Sequence, residues 1–224
     1  MYITRYMKLL LTSAGLSNRS IVNALLELAG KPFSELNLGF IPTASNVESG
    51  DKDWLINDLI ICKNLGFQSI DIVDFSAVSK DVWLPRLHVA DILFFEGGNV
   101  FHLMYWIERS GLKEILPEML KTKVYVGASS GSMVMSKRTS LNHFQNLYNE
   151  DVKKFKKEDG LGFVDFQIRS HLNSLDFPEM NITHLEELAK ETSDTIYAID
   201  DNTAIKISDE KMEIISEGAW KKFN

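Results

Sequence analysis

The sequence predicts an α/β protein: a mostly parallel sheet covered by helices on both faces, giving three layers. Three observations point there. Short apolar runs alternate with longer amphipathic segments along the first half of the chain. Those runs are apolar throughout, as strands buried on both faces are, and do not alternate with polar residues. Two of them run directly into glycine-rich turns from which a helical pattern leaves, the strand–turn–helix rhythm of parallel βα units.

Each element follows in order. Lys8–Ser13 is the first strand; its apolar core is too short for a signal-peptide core, and Met1 to Tyr6 adds no clear element. A helix over Asn18–Leu28 starts at the N-cap Asn18 and stops at Gly30. Strand Asn37–Pro42 precedes the helix Asp53–Leu65, which stops at Gly66. Strands Ser69–Asp74 and Asp91–Phe95 lead to the helix Val100–Ser110, capped by Asn99, and Leu112–Lys121 is helical beyond Gly111. Strand Val124–Val126 comes next. Residues 139–165 lack a clean period and read as an excursion over one face. Strand Phe166–Ser170, a helix from about Pro178 to Lys190, and strands Thr195–Ile199, Ala204–Ser208 and Lys211–Ser216 complete the chain. Asp209-Glu210 makes a tight hairpin turn. No composition break divides residues 1–224, so one domain is expected.

Composition narrows function. Hydrophobic residues make up 45% and charged residues 25% of the 224, an ordinary globular balance. The formal net charge of −7 argues against a nucleic-acid surface, which needs a basic face. The run Lys153-Lys154-Phe155-Lys156-Lys157 is flanked by acids and reads as a solvated face. No stretch is long enough to span a bilayer. Cys62 is the only cysteine and sits in an apolar helical pattern. This excludes a disulfide framework or a cysteine-rich metal site and fits a cytoplasmic protein.

The strongest local feature is Val124 to Met135, where a buried strand enters G-A-S-S-G and a helical pattern leaves it. Glycines at both ends permit a strained turn that presents the central residue, Ser129, beside a helix N-terminus where negative charge is favoured. Ser130 follows it, so its backbone N–H is the natural donor to an oxyanion. A second strand ends in F-E-G-G-N, and there Gly98 can present its N–H to a ligand. Both turns occupy the carboxyl ends of strands, where ligands collect in open α/β sheets.

A serine nucleophile needs a base and an acid. His171 ends the strand F-Q-I-R-S-H, again at a carboxyl end; His102 and His143 are the other candidates, while His88 lies in a helix-to-strand connection and His184 on a helix. Asp200-Asp201 follows the strand T-I-Y-A-I, and alternation does not decide which carboxylate points inward. Asp74, Asp165 and Asp176 compete with them.

The set F-I-P-T-A-S (Phe40–Ser45), F-E-G-G-N-V-F-H-L (Phe95–Leu103), G-A-S-S-G, F-Q-I-R-S-H and Asp200-Asp201-Asn202 resembles the peptidase E family over nearly the whole chain. That family comprises aspartyl dipeptidases and cyanophycinase relatives, serine peptidases on a class I glutamine-amidotransferase-like fold. The resemblance implies Ser129 as nucleophile, His171 as base, Asp201 as triad acid, Gly98 and Ser130 N–H groups as oxyanion hole, and Asn99 beside the substrate. Ser130 stands where the family usually has alanine, and Asp201 where aspartyl dipeptidases have glutamate. Leu172 to Asp200 holds no arginine and one lysine, Lys190, so no residue is assigned to a substrate Asp side chain.

The expected reaction is hydrolysis of dipeptides or short peptides through an acyl-enzyme, with an N-terminal Asp preference implied by the resemblance. Neither a metal nor an organic cofactor is required, and the chain is expected as a monomer or small homo-oligomer. One alternative is an α/β-hydrolase-type esterase or amidase whose acid, such as Asp151 or Asp165, lies between Ser129 and the base. The other is a non-catalytic relative that binds a peptide or small molecule.

Overall fold

In the computed structural model, which describes residues 7–148 and 157–224, five adjacent parallel strands make up most of a seven-stranded sheet. They are β1 (Lys8–Thr12), β2 (Asn37–Ile41), β3 (Ser69–Ile72), β4 (Ile92–Phe95) and β5 (Val124–Ala128). The hairpin of β8 (Thr203–Ser208) and β9 (Lys211–Ser216) adds two antiparallel strands, giving the order β3-β2-β4-β5-β1-β8-β9. A smaller sheet joins β6 (Gln167–Arg169), β7 (Ile196–Ile199) and β10 (Trp220–Phe223) in the order β10-β7-β6.

The apolar strands are apolar because both sheet faces are covered. Successive side chains on a strand point to opposite faces. Leu9, Leu11, Leu93, Phe95 and Tyr125 enter one core with Trp83 and Leu87 of α4 (Lys80–Val89) and with α5 (Val100–Arg109) and α6 (Leu112–Met119). Their neighbours Leu10, Ile92, Phe94, Val124 and Val126 enter another, against α1 (Arg19–Ala29) and α3 (Asp53–Asn64). A third core lies between the small sheet and α9 (Ile182–Ala189).

Local chemistry sets the boundaries. Asn18 caps α1 by accepting from the Ile21 N–H, and Gly30 ends it in the left-handed region at φ 69°. Asp209 and Glu210 both have positive φ, as a two-residue turn with the right twist for a hairpin requires.

Several elements depart from the sequence expectation. α4 occupies a stretch read as a connection and takes in His88; Pro85 inside it broke the helical pattern, but Trp83 and Leu87, one turn apart, bury its inner face. The excursion after Arg138 contains α8 (Leu141–Tyr148) and two isolated bridges, Ser136 to Val164 and Arg138 to Asp159. The late helix is shorter than expected, starting at Ile182 behind the N-cap Asn181. β10 lies beyond the last expected strand; Trp-Lys-Lys-Phe has no apolar alternation, because it is an edge strand paired only with β7. Met1 to Tyr6, Asp151 and the basic run apart from Lys157 lie outside the described residues. Among the described residues no helix is long and apolar enough to cross a membrane.

Candidate active site

Three neighbouring strands, β4, β5 and β1, deliver their carboxyl ends to one cleft of about 530 Å³. β5 ends in the turn that carries Ser129, whose φ of 46° and ψ of −109° lie outside the regions a serine adopts at ease. The turn is held by its surroundings. The Ser129 N–H donates to the Thr12 carbonyl, and the Ser132 hydroxyl donates to the Thr12 and Gly127 carbonyls. A Cβ on Gly127 would lie 2.6 Å from the Gly131 backbone, and one on Gly131 only 2.1 Å from the Phe95 carbonyl oxygen. Both glycines are therefore steric requirements of a turn pressed against β4. The short helix α7 (Ser130–Met133) leaves immediately after Ser129.

His171 and Asp201 meet Ser129 from the second sheet's side. His171 Nε2 is 2.9 Å from Ser129 Oγ, and His171 Nδ1 is 2.7 Å from Asp201 Oδ1. The ring stacks on Phe177 at a centroid distance of 4.8 Å, which fixes its plane. Burial opposes ionisation of Asp201, but hydrogen bonds from His171 and Ser13 and the charge of His171 outweigh it, and its carboxyl titrates below the ordinary value. A neutral imidazole so placed can take the Ser129 proton on Nε2 while the carboxylate steadies the resulting positive charge.

The other candidates make no hydrogen bond to Ser129 or His171 among the described residues. Asp200 accepts from the Ala219 and Asn202 N–H groups and the Thr203 hydroxyl. Asp74 accepts from Thr43 and Asn46, holding the one-turn helix α2 (Thr43–Asn46); Asp165 is exposed. Asp176 lines the cleft without contacting His171 in the hydrogen-bond network. His143 is buried with Nδ1 3.1 Å from Arg169 Nη2, and His184 pairs with Glu179 at 2.7 Å. His102 lies on α5 beside the Trp106 ring.

The second glycine turn faces the first. Gly98 has a φ of 125°, and a Cβ there would lie 2.3 Å from the Ala44 carbonyl oxygen. α2, the helix of the F-I-P-T-A-S segment, clamps this turn. The Ser45 hydroxyl donates to the Gly97 carbonyl, and the Asn99 N–H to the Ala44 carbonyl. The Ser130 hydroxyl donates to the Gly98 carbonyl in a short contact, tying the two turns together. Among the described residues neither the Gly98 nor the Ser130 N–H has an acceptor. Asn99 serves as the N-cap of α5, accepting from the His102 N–H at 2.9 Å, and does not line the cleft.

Sequence reasoning missed Ser13, Asp58 and Glu96. The buried Ser13 hydroxyl accepts from the His171 N–H at 2.8 Å and donates to Asp201 Oδ1 at 2.7 Å. It follows the carboxyl end of β1, between β5 and β8, and only the assembled sheet brings it beside His171 and Asp201. Asp58 and Glu96 also line the cleft, and nothing local distinguished Asp58 from any polar residue of an amphipathic helix.

The model of peptidase family S51 matches residues 9–215. An uncharacterized peptidase of Listeria innocua is 26% identical over 182 residues, 77% of this chain and 81% of that one. Peptidase E of Streptomyces coelicolor is 35% identical over 109 residues, 48% of this chain and 42% of that protein. Among solved structures, a Listeria monocytogenes protein provisionally assigned as a peptidase E superposes with a TM-score of 0.79 at 23% identity, covering 95% of this chain and 99% of the other. A peptidase from an acI-B1 Actinobacterium gives a TM-score of 0.68 at 17% identity, covering 100% and 97%. The likeness to these structures extends the fold to the full length of the chain.

Proposed function

The chain belongs to peptidase family S51 and is a serine-type peptidase; on that premise we propose that Ser129 is its nucleophile, His171 its general base and Asp201 the acid. Its proposed substrates are dipeptides or short peptides. The single observation that carries this reading is the continuous path from Ser129 Oγ through His171 to Asp201, at 2.9 and 2.7 Å.

The steps follow from that geometry. Ser129 Oγ attacks the scissile carbonyl carbon as its proton passes to His171 Nε2. The carbonyl oxygen becomes an oxyanion between the Gly98 and Ser130 N–H groups, which have no protein acceptor of their own among the described residues. Protonated His171 gives its proton to the leaving amine, leaving an acyl-enzyme. Water, deprotonated by His171, then releases the acid and restores Ser129. The order Ser129, His171, Asp201 along the chain differs from the serine–acid–histidine order of α/β-hydrolases. The exposed Asp165, placed between the two, makes no contact with His171 that would favour an esterase of that type.

A cleft of about 530 Å³ is the size of a small-molecule site and supports short substrates. Among the described residues its lining holds Glu48, Asp58, Glu96, Asp176 and Asp201 and no lysine or arginine. Arg169, two residues before His171, is buried on Gln167, His143 and its own neighbour's carbonyl. A panel of dipeptides with free N-termini tests the reading. Wild-type protein is expected to hydrolyse a subset, and Ser129→Ala to lose ~10⁴-fold or more in kcat. Full retention of hydrolysis by Ser129→Ala would overturn the assignment.

A further inference from the structure

α3 turns one face to the cleft. Trp54, Asn57 and Asp58 are spaced three and four residues apart, so their side chains share that face, and all three line the cavity. Behind Asp58 stands Glu96, the residue that follows β4 and leads into the glycine turn. Glu96 is 1% exposed; its Oε1 accepts from the Gly97 N–H at 2.8 Å, while its Oε2 is buried with no donor among the described residues and faces the Asp58 carboxyl. Two carboxyls in contact do not both ionise. Burial, and then the charge of Asp58, push Glu96 well above the usual carboxylate range, so Glu96 keeps the proton and donates it to Asp58. Burial also pushes Asp58 up, to about 6, against that hydrogen bond, and at neutral pH it carries the pair's single negative charge.

Among the described residues that charge has no ion-pair partner, and no described lysine or arginine lines the cleft. Lys52, just before the first turn of α3, donates to the Ser45 and Glu48 carbonyls. On its other side Asp58 is closed in: a Cβ on Gly15 would lie 2.9 Å from Asp58 Oδ2. The aromatic wall is close to the chemistry. A Cβ placed on Gly97 would be 3.9 Å from the Trp54 indole and 3.3 Å from Ser129 Cβ, so indole, Gly97 and Ser129 converge. A half-buried carboxylate without a counter-ion, next to an indole, attracts an ammonium group both by charge and by the ring's quadrupole.

We propose that Asp58, backed by Glu96 and flanked by Trp54, forms a subsite for a protonated amine of the substrate. This deepens the serine-peptidase reading and rests on it. The amine is either the substrate's free α-ammonium or a basic side chain; the chemistry of recognition is the same, and the acidic lining accepts either. In both cases Asp58 holds the amine while the scissile carbonyl lies over Ser129.

Protection of Ser129 from a fluorophosphonate probe tests this without turnover. Three small ligands are compared on the full chain at pH 7.5: leucinamide, with only an α-ammonium; Nα-acetyl-lysinamide, with only a side-chain ammonium; and Nα-acetyl-leucinamide, with neither. One of the two amines is expected to slow labelling at concentrations about tenfold or more below those the neutral ligand needs, identifying the source of the amine. In Asp58→Asn that advantage is expected to vanish. Equal protection by all three ligands in wild type, or an undiminished amine advantage in Asp58→Asn, would overturn the subsite while leaving Ser129 as the labelled residue. Absence of labelling at Ser129 in wild type would instead remove the serine reading, and the subsite with it.

Discussion

Ser13 contributes one hydroxyl to two partners, accepting from the His171 backbone and donating to the Asp201 carboxylate. It is therefore a positioning residue for both. Ser13→Ala is expected to lower kcat by about 10- to 100-fold, the effect of losing a hydrogen bond to a charged group. It should also move the acid limb of the kcat/KM profile upward. Asp201 is held below its ordinary value partly by the Ser13 hydroxyl, so without it the carboxylate is protonated at a higher pH. A loss of kcat with an unmoved acid limb would mean that Ser13 acts only through packing. Ser129 and His171 were legible in the sequence because each ends an apolar run at a glycine or loop. Asp201 was legible only as one of a pair. What separates it from Asp200 is contact with Ala219 and Thr203, and thus the path of β8 and β10, which no local pattern encodes. Ser13, Asp58 and Glu96 became visible only when strand ends distant in sequence were brought together.

At the scale of elements, the decisive device is the pair of facing turns after β4 and β5. The sequence announced both turns but not the clamp between them. α2 is one turn long, and its role rests on the Ala44 carbonyl lying against Gly98. Gly98→Ala must find room for a methyl 2.3 Å from that oxygen at a φ of 125°, so the turn must shift. The expected result is a kcat lower by ~10²–10³-fold, as for loss of one oxyanion donor, with a lowered Tm. Unchanged kcat in Gly98→Ala would remove that N–H from the mechanism. Ser130→Ala keeps its backbone N–H and loses only the tie to the Gly98 carbonyl. Its kcat is expected to fall less than about tenfold, in line with a neutral hydrogen bond of ~1 kcal/mol. Two elements missed in the sequence have local causes: Pro85 interrupts the pattern of α4, which buries Trp83 and Leu87 all the same, and β10 is an edge strand without apolar alternation.

For the molecule as a whole, the acid pair under the cleft costs stability. The folded state raises Asp58 from 3.8 to about 6, so between those values it binds protons that the unfolded chain has released. Stability is then largest at low pH within this window and falls as pH rises through about 6. Asp58→Asn removes the titration. Its Tm is expected to exceed that of wild type by roughly 2–6 °C at pH 8, with the curves converging toward pH 4. A variant less stable than wild type at pH 8 would show that Asp58 instead stabilises the fold. The doubly covered sheet was legible from the both-faced apolarity of its strands. The split of each strand between two cores, Leu9 and Leu11 to one and Leu10 to the other, is the structural form of that pattern. The second small sheet was not legible as a separate unit, because its strands come from distant stretches and look like those of the main sheet.

One serine, on one strained turn, is proposed to carry the chemistry. The most direct test is the mass of the wild-type protein and of its peptides after treatment with a fluorophosphonate. A single covalent adduct on Ser129 is expected, absent from Ser129→Ala and slowed in His171→Ala. An adduct on another residue, or none on the folded wild-type protein, would contradict it.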